Sequence, residues 1–271
     1  MDSPPAQDQP AFETVRYLTG SDTRIRILAL LTAEPLDRRT LRDRLDISQP
    51  TTSRTLSEFE DRGWVTHEGR TFRATELGSF VCRSLTSFLE QMKTARRLEP
   101  IVQWFPAEGY GFDLDCLASA DIVTASEVAV EAPIESLGRQ LRDASHVRSL
   151  SHGITRSLLD VQLGASSAGA PVGCWIFGPE VREYLRDDPE LAAFATAALE
   201  SGRMEFYCYD GPVPFNVVVT DDTVNLCLTG GQGAPNAEIQ TTDEEVRAWA
   251  DATIDEYRRD ADRLTTDSFD P

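Results

Sequence analysis

Ile47-Ser48-Gln49-Pro50-Thr51-Thr52-Ser53-Arg54-Thr55-Leu56-Ser57-Glu58-Phe59-Glu60-Asp61-Arg62-Gly63-Trp64-Val65 is the stretch on which the reading of the chain turns. Ser48 is placed to cap a helix, Pro50 is tolerated two positions later because first-turn amides have no intrahelical partner, and Gly63 supplies the stop. The spacing predicts one helix of roughly four turns. Thr52, Leu56, Phe59 and Gly63 recur at i, i+4, i+7 and i+11 and share a face, which leaves Gln49, Pro50, Thr51, Ser53 and Arg54 open on the first turns. With the cap Ser48, these are the candidate DNA-contacting residues. Arg54 matches guanine N7 and O6, Gln49 matches an adenine edge, and Thr51 and Ser53 suit phosphates or the thymine methyl. Glu58, Glu60 and Asp61 would be repelled by phosphate, so the carboxyl half of the helix is expected to leave the groove. Taken alone, the pattern fits an ordinary amphipathic core helix equally well.

The flanking chain separates the two readings. Upstream, residues 1–10 carry three prolines and no apolar pattern and read as a disordered lead. Phe12, Val15 and Leu18 then form a short helical stripe ended by Gly20. Ser21 or Asp22 opens a second helix with Ile25, Ile27, Leu28 and Leu31 on its core face, and Pro35 breaks it. Asp37 caps a third helix with Leu41 and Leu45, and Asp46-Ile47 turns into the opening stretch, which makes a helix-turn-helix. Downstream, Trp64–His67 and Arg70–Ala74 flank a turn at Glu68-Gly69 and read as a small hairpin. A hairpin behind a recognition helix is a wing, and it would hold Arg70 and Arg73 at phosphate height; without that helix both would pass for solubilising charge. His67 reads as a strand residue.

Thr75 is placed to cap a long helix in which Leu77, Val81, Leu85, Phe88, Met92 and Ala95 step by four or three, close to a heptad seam. Packing onto the wing domain would absorb part of that stripe. Its length beyond the domain points to a second copy, with Leu77, Val81, Leu85, Phe88 and Met92 as dimerisation residues. The expected divisions are therefore a lead at 1–10, a winged helix-turn-helix at 11–74, a linker and dimerisation helix at 75–105, and an α/β domain at 106–271 built on a mixed sheet.

In that last part Ile122–Thr124, Val147–Leu150, Val172–Phe177, Met204–Tyr209, Phe215–Thr220 and Val224–Leu228 are expected as strands, with Asp221-Asp222 as a hairpin turn. Residues 134–144, 154–163, 179–186 and 189–199 are expected as helices. Thr242-Asp243-Glu244-Glu245 reads as a capping box before a final helix whose face is Val246, Trp249, Ala250, Thr253 and Tyr257. Gly230-Gly231-Gln232-Gly233 reads as a turn, and the dipole of the last helix accounts for Arg258, Arg259 and Arg263 near its end.

Residues 1–99 hold 15 basic and 15 acidic side chains and residues 100–271 hold 11 and 30, so the whole net charge of −19 lies in the second part. Only Lys93 is a lysine. This composition resembles proteins of salt-accumulating archaea. At about 1 M salt the Debye length is near 3 Å, so acidic charge a domain's width away would scarcely repel DNA. The five cysteines show no C-x-x-C pair or zinc-ligand spacing and read as buried reduced thiols, with a redox or metal sensor as the other reading. No signal-peptide pattern opens the chain and no apolar run approaches about 18 residues, so a soluble cytoplasmic protein without membrane contact is expected.

Ile47–Arg54, Leu56, Phe59, Gly63-Trp64-Val65 and Ala74-Thr75-Glu76-Leu77-Gly78 together resemble the winged-helix domain of archaeal and bacterial transcriptional regulators, over residues 12–98. Asp121–Ser126, Pro212-Val213-Pro214-Phe215 and Trp249-Ala250 are similar to regulators carrying the methanogenesis regulatory protein middle domain, a looser match that transfers no binding residue. The resemblance implies a DNA-binding regulator, with double-stranded DNA, a second copy and a small-molecule effector as partners and no cofactor. The alternatives are an architectural DNA-binding dimer without effector and a DNA-targeted phosphodiesterase-like enzyme. Related sensor domains resemble phospholipase-D folds, whose enzymes use H-x-K-x4-D; here His152 is followed by Ile154 and Leu159 where lysine and aspartate are required. Three histidines and no G-x-S-x-G elbow leave no nucleophilic triad either.

Overall fold

The computed structural model describes residues 9–107, 109–156, 172–230 and 235–270. Residues 157–163 of the expected helix, most of the expected lead and residues 231–233 of the glycine turn lie outside them. The chain divides into two compact units, one ending at Met92 and the other starting at Lys93.

In the first unit, α1 (Gln9–Thr19), α2 (Asp22–Ala33), α3 (Arg38–Leu45) and α4 (Gln49–Asp61) follow in order. Each turn has a local cause. Asp37 accepts from the Thr40 amide at 2.7 Å to start α3, and Asp46 leaves it in the left-handed conformation at φ 52°. A two-residue strand β1 (Leu36–Asp37) pairs with β3 (Thr71–Ala74), which pairs with β2 (Val65–Glu68) through the turn at Gly69, φ +59°. The wing hairpin is thus three-stranded. The core is Ile27, Leu28, Leu31, Leu41, Leu56, Phe59 and Phe72 with the flanking Trp64, and the Phe59 and Trp64 rings meet tilted at 49° with their centroids 5.6 Å apart. From α1 only Leu18 is buried; Phe12 and Val15 are exposed.

The long helix α5 (Glu76–Leu98) starts where expected, with the Thr75 hydroxyl accepting from the Gly78 amide at 3.0 Å. Its apolar stripe is two faces, not one seam. Leu85 and Cys82 are 7% exposed inside the winged-helix core and Val81 packs against it, so Leu85 is not available to a second copy. Leu77, Phe80, Phe88 and Met92 are 51%, 60%, 44% and 45% exposed on the neighbouring face.

The second unit is a three-layer α/β sandwich around a mixed eight-stranded sheet. Its strands are β4 (Asp121–Thr124), β5 (His146–Ser151), β6 (Val172–Phe177), β7 (Met204–Cys208), β8 (Val217–Thr220), β9 (Thr223–Thr229), β10 (Pro235–Thr241) and β11 (Asp262–Arg263), in the order β11-β7-β6-β5-β8-β9-β10-β4. The β5–β6 and β6–β7 pairs are parallel and the rest antiparallel. One face carries the last helix, α9 (Glu244–Arg259), through Val246, Ala250 and Ile254. The other carries α6 (Ala132–Asp143), α7 (Pro179–Asp187) and α8 (Pro189–Glu200). The cap of α9 is Asp243 and not Thr242: its carboxylate, one residue nearer the helix, accepts from the Glu245 and Val246 amides at 3.0 and 3.2 Å. Arg258 and Arg263 both reach Glu205 at 2.8 Å, a specific partner beyond the helix dipole. All five cysteines are unpaired and four are buried. Among the described residues no helix is long and apolar enough to cross a membrane.

Candidate nucleic-acid interface

Ser48 caps α4: its hydroxyl accepts from the Thr51 amide at 3.3 Å and lies 2.9 Å from the Thr51 hydroxyl. Thr52 turns inward, its hydroxyl donating to the Ser48 carbonyl at 3.0 Å, and Thr55, Leu56 and Phe59 complete the buried face. Thr55 was the one member of that face missing from the periodic reading. Gln49, Pro50 and Arg54 are exposed and Thr51 and Ser53 half-exposed, so the proposed contact residues form one open surface on the first two turns.

The acidic half of α4 is engaged by the protein itself. The Tyr17 hydroxyl donates to Glu58 at 2.5 Å, and Arg24 stands 3.9 Å from the same carboxylate. Burial first, and then the Glu58 carboxylate, push the Tyr17 phenol up to about 12. Glu60 pairs with His67 of the wing, which gives that histidine a structural task. Among the described residues Arg54 is tethered only by a 4.0 Å approach to Glu58, with its side chain 69% exposed. An exposed pair at that distance contributes little and is readily exchanged for a base edge or phosphate. Arg70 and Arg73 are exposed on the wing and have no ion-pair partner among the described residues. Ser48, Gln49, Pro50, Thr51, Ser53 and Arg54 are thus brought together by α4, whereas Arg70 and Arg73 lie at the turn and on β3 of the wing.

Sequence reasoning missed α3 as a source of charge. Its eight residues include Arg38, Arg39, Arg42 and Arg44. Arg38 is laid over the Phe72 ring at 4.6 Å, and Arg44 is paired with Glu34 at 2.6 Å. Arg39, with its side chain 83% exposed and 3.6 Å from Asp43, is the most exposed of the three that form ion pairs among the described residues. The signal was four arginines in one short capped helix immediately before the recognition helix.

Two family models match the chain. Residues 12–97 match the HVO_A0261 N-terminal domain, and residues 130–260 match the middle domain of the methanogenesis regulatory protein FilR1. No curated protein sequence matches it. Among solved structures it is similar to TrmBL2, an archaeal chromatin protein, at 16% identity over 96% of this chain and 100% of that one, TM-score 0.42. It is also similar to quinone-bound YodB from B. subtilis at 21% identity over 32% and 97%, TM-score 0.28. Nuc from Salmonella typhimurium, a phospholipase D family member, is similar at 10% identity over 54% and 97%, TM-score 0.40. At these scores the structural likenesses are loose; by the two family models the chain is similar to an HVO_A0261-type N-terminal domain over residues 12–97 and to a FilR1-type middle domain over residues 130–260.

Proposed function

We propose that this protein is a DNA-binding transcription regulator that places the first turns of α4 in a major groove and the wing arginines on the phosphates. The observation that carries the reading is the division of α4: an open, capped, hydroxyl- and amide-rich end with Arg54 loosely held, and an acidic end turned onto Tyr17, Arg24 and His67. Arg54→Ala is expected to weaken binding by about 1–3 kcal/mol and to relax preference at one base position, because a bidentate arginine–guanine contact is worth that much. Arg70→Ala should weaken all sequences alike. Selection from a random duplex library by wild type and both variants reads the two effects, and an unchanged motif and affinity for Arg54→Ala would count against the groove assignment.

The regulator acts as a homodimer through the second apolar face of α5. Phe80, Phe88 and Met92 lie on one i±4 row with Ser84 between them, and Leu77 flanks it. Two such rows interlock at about −50°, so the paired helices cross instead of winding as a coiled coil. Glutamate at both Phe80 and Phe88 should dissociate the dimer and leave the fold intact, whereas Leu85→Glu should unfold the first unit. Light scattering that finds wild type monomeric at micromolar concentration removes the basis for this assignment. The unit from Lys93 onward serves as the effector-sensing part.

A further inference from the structure

Glu58 divides its two carboxylate oxygens between the body of the first unit and the open end of α4. Its Oε2 accepts from the Tyr17 hydroxyl at 2.5 Å and lies 3.9 Å from Arg24 Nε, while its Oε1 lies 4.0 Å from Arg54 Nε. Tyr17 is itself clamped. The guanidinium carbons of Arg24 and Arg62 stand 4.1 and 4.2 Å from the centre of its ring, and the Phe59 and Trp64 rings meet it with centroids 6.4 and 6.1 Å away. Arg24 also donates to the Tyr17 carbonyl at 2.6 Å, which ties α2 to α1. A chain of contacts thus runs from α1 and α2 through Tyr17 to Glu58 and ends at Arg54.

Holding α1 against α4 takes only one oxygen of Glu58, and a neutral acceptor would serve. The other oxygen faces Arg54 one helical turn away, at the i, i+4 spacing that puts two side chains on one stripe. The atom it approaches is Nε, and among the described residues Nη1 and Nη2 of Arg54 make no hydrogen bond. Those two nitrogens are the fork that pairs with guanine O6 and N7. A carboxylate beside the base of the fork leaves the fork open and biases what meets it. A guanine edge offers neutral acceptors, which a nearby carboxylate tolerates, whereas a phosphate is an anion and is repelled. The pair adds little stability of its own; its weight lies in the choice of partner.

We propose that Glu58 is a positioning residue for Arg54: held by Tyr17, its carboxylate turns the Arg54 fork toward a guanine edge and away from phosphate, and so sets base discrimination without touching DNA. The inference rests on the placement of α4 in a major groove.

Fluorescence anisotropy on the full chain at fixed salt tests it, with the duplex selected from a random library and the same duplex changed at the guanine that depends on Arg54. The ratio of the two affinities is the discrimination. Glu58→Gln keeps an acceptor for Tyr17, and it should lower that ratio by about threefold or more, the size of coupling expected between touching side chains. It should also raise affinity for unrelated duplexes, because an anion near the phosphates is removed. In an Arg54→Ala background the same substitution should leave the ratio unchanged. Tyr17→Phe keeps the ring and removes only the hydroxyl, and should lower the ratio in the same sense by less. An unchanged ratio in Glu58→Gln overturns the proposal. So does an equal fall with and without Arg54, which would mean that Glu58 acts through the fold. If Glu58→Gln does not fold, Tyr17→Phe measured in both backgrounds decides. Wild type and Arg54→Ala discriminating alike would instead remove the groove assignment, and this one with it.

Discussion

Gly78→Ala is expected to destabilise the first unit by about 3 kcal/mol, the upper range for forcing a methyl group into a packed interior. A Cβ at Gly78 would stand 1.9 Å from the Trp64 carbonyl oxygen and 2.8 Å from its carbon. That carbonyl cannot withdraw cheaply, because it accepts the Thr75 amide at 2.8 Å. The Thr75 hydroxyl, bonded to the Gly78 amide at 3.0 Å, donates to the Gly63 carbonyl at 2.6 Å. Gly78 is therefore where α5 closes on the end of α4 and the base of the wing. Urea unfolding of the full chain, followed by amide exchange in residues 25–72, measures the loss. Unchanged protection in Gly78→Ala would show that the joint yields, and the close approach would then have no energetic weight.

The second large effect is a pH dependence set by Glu238. Its carboxyl moves from an ordinary 4.5 to about 7 on folding, so between those values the folded chain holds a proton that the unfolded chain has released. The sign follows directly. This stabilisation is fully present below the unfolded value and is lost as pH rises through the folded one, amounting to about 2 to 3 kcal/mol between pH 5 and pH 8. Many other carboxylates titrate in this acidic chain, so the difference between wild type and Glu238→Gln isolates the effect. That difference should fall with rising pH by about 2 to 3 kcal/mol. A flat difference would mean that Glu238 is already ionised at pH 5 in the folded protein.

Local chemistry made much of this architecture legible before any coordinates. Asp37, Ser48 and Thr75 cap the helices they were expected to cap, and Gly63 at φ +69° is the helix stop. Asp221 at φ 44° makes the β8–β9 turn. Each is a single residue type whose backbone preference settles a boundary. β10 was not legible, because Pro235-Asn236-Ala237-Glu238-Ile239-Gln240-Thr241 buries a glutamate where a strand pattern calls for an apolar residue.

The phase of α5 was misread for a different reason. A helix covered on one face by its own domain and open on the adjacent one shows a single broad apolar stripe, and periodicity alone cannot tell which residues each face claims. Leu85 went to the core and Phe80 to the open surface. In the candidate interface, the open first turns of α4 followed from the cap and the 3.6-residue period. The engagement of Glu58 by Tyr17, 41 residues away in sequence, is a tertiary contact that no local pattern encodes.

The most direct test of the groove assignment is a double-mutant cycle between Arg54 and guanine N7. Duplexes carrying the selected motif are made with 7-deazaguanine at each guanine in turn, and their affinities for wild type and Arg54→Ala are compared at fixed salt. One position should cost wild type about 1–3 kcal/mol and cost Arg54→Ala nothing further. Losses of equal size in both proteins at every guanine would contradict the placement of α4 in the major groove.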